Sequence, residues 1–264
     1  MRLIHGELIK LFTLRLVLWS ALLAAACGAL LTGTLAFIGP ENATPPLPGL
    51  GTAEGVEIVL GLPSVLLFVP ALIGTIAVTS EYRHRTIGTT FLAAPRRAHV
   101  LGAKLAVYAL LGMAYGIVSS AASGAALFAG AAAQGVAIPV PLGEIMTPLI
   151  QLALAAAVYM VLGVSIGALA RNQLVAIAVV LGYFYFVEFV LMMIPGVNGL
   201  YPLLPGGATA SLTSFSFLVD TLAEQTSLGG AALASPVMGA GILLAYAGIA
   251  ALLAVVVPLR RDVR

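Results

Sequence analysis

Between Glu144 and Arg171 the chain reads IMTPLIQLALAAAVYMVLGVSIGALA, residues Ile145 to Ala170, 26 residues without a charge. As a helix rising ~1.5 Å per residue, this stretch is long enough for a hydrocarbon core of ~30 Å, which takes about 20 apolar residues. Four more uncharged runs exceed that length: 25 residues from Leu16 to Pro40, 23 from Ile58 to Ser80, 39 from Leu105 to Gly143 and 35 from Gln225 to Leu259. The runs are continuous in Leu, Ala, Val and Ile, whereas the strands of an outer-membrane barrel are about ten residues long and alternate in polarity, so helical spans are expected. Composition agrees. Of 264 residues 61% are hydrophobic and 8% charged, against about 25% charged in soluble domains. A single cysteine, Cys27, excludes an internal disulfide framework and a Cys-based zinc site.

These five runs, with a sixth from about Leu174 to Ile194 interrupted only by Glu188, predict one all-α integral membrane domain over residues 1–264. Its six spans are expected near 17–38, 58–79, 105–130, 145–170, 174–194 and 238–258. Six spans put both termini on one side of the membrane. The positive-inside rule then has a clean solution. The basic clusters Arg2/Lys10/Arg15, Arg83/Arg85/Arg96/Arg97/Lys104, Arg171 and Arg260/Arg261/Arg264 all fall on the cytoplasmic side, while Glu41, Glu54, Glu57, Glu144, Asp220 and Glu224 fall outside. Arg15 and the apolar run up to Cys27 have the outline of a lipoprotein signal. Apolar sequence continues past Cys27 to Ile38, however, so an uncleaved span is expected.

Three connecting stretches are expected to be structured. Residues 1 to 15 read as an amphipathic helix in the headgroup layer, with Ile4, Leu8, Leu11 and Phe12 on its apolar face and Arg2, Glu7, Lys10 and Arg15 elsewhere on the wheel. From Glu81 to Leu92, Tyr82, Ile87, Phe91 and Leu92 give a partly apolar face and Glu81, Arg83 and Arg85 a charged one, ending at Pro95. Such a helix under the membrane is a docking element, or else a polybasic loop drawn to anionic lipid. Between spans five and six, Pro195, Pro202, Pro205, Gly206 and Gly207 break the chain, after which Leu212, Phe215, Leu218, Val219 and Leu222 recur at helical spacing. One short external helix is predicted there.

Enzyme chemistry fails on inventory, and no metal site is expected. The only lysines, Lys10 and Lys104, follow Ile9 and Ala103, so no G-x-x-x-x-G-K-[ST] loop exists to cradle ATP. The histidines His5, His84 and His99 lie outside the expected spans, and Asp220 and Asp262 lie on opposite sides. Glu188 is the one acid expected inside a span, where a charge costs about 2.5 to 3.5 kcal/mol at mid-membrane. With Tyr183, Tyr185, Phe186 and Phe189 around it, Glu188 is read as lining a cavity for an amphipathic, neutral or cationic molecule. The plainer reading is packing, with Glu188 paired to a tyrosine hydroxyl or to water. Gly112, Gly116, Ser120 and Gly124 in the third span, and Gly163 and Gly167 in the fourth, recur every four residues. Such spacing lets helix backbones approach, more often within a chain than between chains.

The stretch Thr79-Ser80-Glu81-Tyr82-Arg83-His84-Arg85-Thr86-Ile87, followed by Ala94-Pro95-Arg96-Arg97 and by Lys104, resembles the cytoplasmic segment of type-2 ATP-binding-cassette exporter permeases, small actinobacterial members in particular. The overall plan is similar across essentially the whole chain: an interfacial amino-terminal helix, six spans, a coupling helix between spans two and three, and external helices between spans five and six. The resemblance implies a permease dimer, of the same chain or a relative, in the bacterial cytoplasmic membrane. Each half would dock a coupling helix, Glu81 to Ile87 and onward, on a separate ATPase subunit that carries ATP and magnesium. It also implies a cavity lined by the second and fifth spans. A non-ATP-driven channel or secondary transporter, or a structural or regulatory membrane subunit, is the alternative. A proton-coupled carrier usually holds ionisable groups near mid-membrane, and only Glu188 is offered.

Overall fold

The computed structural model describes residues 2–13, 15–84, 97–226 and 232–259. The chain is 85% helical, with no strand among the described residues. Among the described residues six helices are long and apolar enough to cross a membrane: Leu16–Ile38, Ala53–Arg83, Ala98–Gln134, Leu142–Ala170, Gln173–Met193 and Pro236–Val257, hereafter spans 1 to 6. This is the pattern of a multi-pass membrane protein.

Several helices extend beyond the uncharged windows. Span 2 starts at Ala53 rather than 58 and runs to Arg83 rather than 79, and the third helix starts at Arg97 rather than 105. Backbone hydrogen bonding has no reason to stop at a charge, and long charged side chains at helix ends reach polar surroundings on their own stems. Consequently Glu81, Tyr82 and Arg83 form the last turn of span 2, with His84 at its C-cap, and do not begin a separate helix. Residues Arg85 to Arg96, on which the rest of the expected coupling helix falls, lie outside the described residues.

Span 4 is the core. In its most apolar window 67% of residues are buried, against 17% in spans 5 and 6. Spans 2 and 3 pack on it from two sides, span 1 lies on span 3, and span 5 touches spans 2 and 4. Span 6 packs on span 4 and on the short helix Pro205–Thr213. Small residues allow these approaches. Gly112 and Gly116 of span 3 face Ala157 and Ala153 of span 4, Gly124 faces Leu149, and the Ser120 hydroxyl donates to the Leu149 carbonyl at 2.8 Å. On the other side of span 4, Gly163 and Gly167 face Ala71 and Thr75 of span 2. Thr75 Oγ1 donates to the Gly163 carbonyl at 3.0 Å.

Span 2 is not uniform: Ala53–Gly61 and Phe68–Arg83 are α-helical, and Leu62–Leu67 tightens to a 3-10 turn. Pro63 lies in that turn and supplies no backbone N–H. Between spans 5 and 6, among the described residues, the 3-10 turn Asn198–Leu203 is followed by two α-helices, Pro205–Thr213 and Phe217–Thr226; the resemblance implied more than one helix there, the residue pattern a single one. Ser214, at φ 57°, breaks the pattern that runs from Leu212 through Phe215 to Leu218, which explains why helical spacing alone misplaced the element.

Candidate functional site

Two polar sites stand at opposite ends of the bundle. One lies where span 5 meets the connection to span 6. Span 5 begins as the α-helix Gln173–Leu181, widens to a π-turn over Gly182–Val187 and returns to α over Glu188–Met193. Such insertions shift the faces of a helix and occur often at functional positions. Here the shift separates the expected cavity residues. Tyr185, Glu188 and Phe189 line a cavity of about 280 Å³, together with Phe68, Tyr159, Phe184, Tyr201, Thr209 and Phe215 among others. Tyr183 lies beside it, edge-on to Phe184 at 5.3 Å, with its phenol near the Glu188 charge. Phe186 is 68% exposed and turned away from the cavity.

Glu188 itself is buried, and its position is set by backbone. The Gly206 N–H donates to both carboxylate oxygens, at 3.0 and 3.2 Å. Gly206 follows Pro205 at the start of Pro205–Thr213, so the acid caps the N-terminus of a helix eighteen residues further along the chain. A Cβ on Gly206 would collide with the carboxylate. The Thr209 hydroxyl extends the polar edge of the cavity, donating to the Pro205 carbonyl at 2.9 Å and sharing a 3.1 Å hydrogen bond with the Tyr159 hydroxyl. Tyr201, outside the span, has its hydroxyl pushed above the ordinary value by burial and by the Glu188 charge. Sequence reasoning missed Tyr159, Tyr201, Gly206 and Thr209. The available signal was Pro205 followed by glycine, a helix start read only as a chain break.

The second site is a ring of four charges at the end that carries the amino terminus. Lys104 Nζ lies 2.8 Å from Glu7 Oε2 and 2.8 Å from Glu81 Oε1. Lys10 Nζ reaches the same two acids, at 3.0 Å to Glu7 Oε1 and 3.2 Å to Glu81 Oε1. Glu7 and Lys104 are buried, and Lys104 also stands 5.8 Å from the centre of the Tyr108 ring. Burial alone would raise the Glu7 carboxyl, but the Lys104 and then the Lys10 ammonium outweigh it and hold Glu7 below the ordinary carboxylate value. Burial works against the charge of Lys10 too, and the hydrogen bond to Glu7 with the Glu81 charge still leaves it raised.

The ring joins the helix Arg2–Thr13, the last turn of span 2 and the first turns of the third helix. It corrects the expected amphipathic wheel, in which Glu7 faced away from the apolar side. Leu8 and Leu11 pack into the core and Glu7 is buried beside them, whereas Ile4 and Phe12 are exposed. Of the residues read as a docking element, Glu81 is in the ring and Tyr82 packs against the core. Arg83 Nη1 donates to Gln173 Oε1 at 3.3 Å, His84 is exposed, and Arg85, Thr86 and Ile87 lie outside the described residues. Among the described residues no three His, Cys, Asp or Glu side chains converge on a possible metal position.

No protein-family profile matches the chain, and no curated protein matches it either.

Proposed function

We propose that this chain is the membrane-spanning permease subunit of an ATP-binding-cassette exporter, energised by a separate ATPase subunit that binds ATP and magnesium. The observation that carries the reading is the charge ring. Glu81 and Lys104 flank the basic segment Arg85 to Arg97, whose residues resemble the ATPase-docking segment of type-2 permeases, and the ring ties both flanks to each other and to Arg2–Thr13. A displacement applied to the segment between them would therefore move spans 2 and 3 together. Both termini would lie in the cytoplasm of a bacterial cell, and a second permease subunit would complete the path. The cavity beside span 5 suits an amphipathic cargo, a drug-like molecule, lipid or peptide, because its lining is mostly aromatic and apolar and includes no Lys or Arg.

The experiment is co-purification and turnover. Purified alone the chain hydrolyses no ATP. Expressed with its ATPase it forms a complex whose ATP hydrolysis responds to cargo, and Arg83→Ala lowers ATPase assembly while leaving membrane insertion intact. Robust ATP turnover by the isolated chain, or transport in ATP-free vesicles driven by a pH gradient, defeats the reading.

A further inference from the structure

Glu188 is 5% exposed, and among the described residues its carboxylate accepts hydrogen bonds from a donor that carries no charge, the Gly206 N–H. The Gly206 N–H holds it, and the Tyr183 phenol stands near its charge. The other ionisable groups facing it from neighbouring elements are also phenols: Tyr159 of span 4, Tyr201 of the turn Asn198–Leu203 and Tyr246 of span 6. A carboxylate buried without a cation depends on such donors and on the partial positive charge of a helix N-terminus. Adding a proton removes the charge those donors favour and turns an acceptor oxygen into a donor. The helix Pro205–Thr213, which Glu188 holds at Gly206, also forms one wall of the cavity, through Thr209 and Ala210.

We infer that Glu188 is a proton-sensitive latch on the cavity. Ionised, it pins the N-terminus of Pro205–Thr213 to span 5 and keeps the wall shut; protonated, it releases the helix and opens the cavity toward that end of the bundle. The wall's role as a gate for cargo rests on the transport reading. The latch itself needs no ATPase, so it is tested on the full chain alone, in membrane vesicles.

In a Cys27→Ser background, Ala210→Cys places a thiol on the wall, at a position 7% exposed. A membrane-impermeant thiol reagent is applied to the face carrying Ala53. Each rate is divided by that of Ala53→Cys, exposed at the same end, to cancel the ionisation of the thiol itself. The normalised rate should rise about tenfold between about pH 8 and about pH 5, the scale of losing one charge-assisted hydrogen bond. With Glu188→Gln it should be high at both values. A normalised rate that does not change with pH while Glu188 is present overturns the latch, and so does pH dependence that persists in Glu188→Gln. The arm with Glu188 intact decides the matter even if the Gln variant fails to fold. If ATP coupling fails while the pH-dependent labelling holds, the transport reading falls and the latch stands.

Discussion

Replacing Lys104 by Met tests how the charge ring is built. Its side chain is 4% exposed and bridges two carboxylates, Glu7 and Glu81, whose side chains are 7% and 14% exposed. Without the ammonium both acids stay in place, and among the described residues the cation left bridging them is Lys10, which is 44% exposed. Breaking a buried pair by removing one partner costs about 3 to 5 kcal/mol, because the remaining charge has lost its compensation. At about 2 to 4 °C per kcal/mol for a chain of this size, Lys104→Met should lower the melting temperature of the detergent-purified protein by at least about 6 °C. Lys10→Met removes two contacts of similar length but leaves Lys104 in place, and solvent already screens it, so the expected loss is about 1 kcal/mol or less. Removing all the buried charge together, as in Lys104→Met with Glu7→Gln and Glu81→Gln, should recover most of the stability. The measurement is a thermal melt of the four proteins. Equal melting temperatures for Lys104→Met and Lys10→Met, or a triple variant worse than Lys104→Met, would refute the reasoning.

Two further outcomes follow from the same geometry. Because the Glu7 carboxyl is held below its ordinary value, the stability it contributes is complete above the ordinary carboxylate value and is lost as pH falls through the lowered one; acid melts should show this loss, and Glu7→Gln should flatten it. At Gly163 a Cβ would collide with the Ala71 carbonyl, whereas at Gly143 it would meet nothing, so Gly163→Val should abolish the monodisperse detergent-purified protein while Gly143→Ala stays within about 1 kcal/mol of the parent.

Five of the six spans were legible because each is a continuous apolar run ended by charges, and the fifth span because Glu188 alone interrupts it; composition marks such runs. Helix ends were less legible, since Arg83 and Arg97 sit inside helices that the uncharged windows had cut short. Periodicity set Glu7 apart from the apolar face, whereas it is buried beside Leu8 and Leu11, because the cation that makes such burial tolerable, Lys104, is distant in sequence. A similar gap applies to Glu188. That an acid inside a span must be buried and paired follows from its desolvation cost, yet its main partner is a backbone N–H, and a backbone group leaves no residue type to read. Phe186 was assigned to the cavity by its neighbourhood in the sequence, while the π-turn across Gly182–Val187 shifts the faces on which neighbouring rings stand.

The hydroxyl groups along the spans bear on how the chain enters a membrane. Thr75 donates to the Ala71 carbonyl, Thr79 to the Thr75 carbonyl and Ser165 to the Val161 carbonyl, each one turn back on its own helix at 2.8 Å. Spans 2 and 4 can therefore leave the insertion machinery singly, with these hydroxyls already satisfied, and wait in lipid until a neighbour arrives. Ser120 reaches instead across to the Leu149 carbonyl, and Thr32 and Ser123 reach each other at 2.6 Å. These bonds form only once spans 1 and 3, and then spans 3 and 4, have met side by side, so they reward the correct neighbours during assembly and leave the earlier act of insertion unaided.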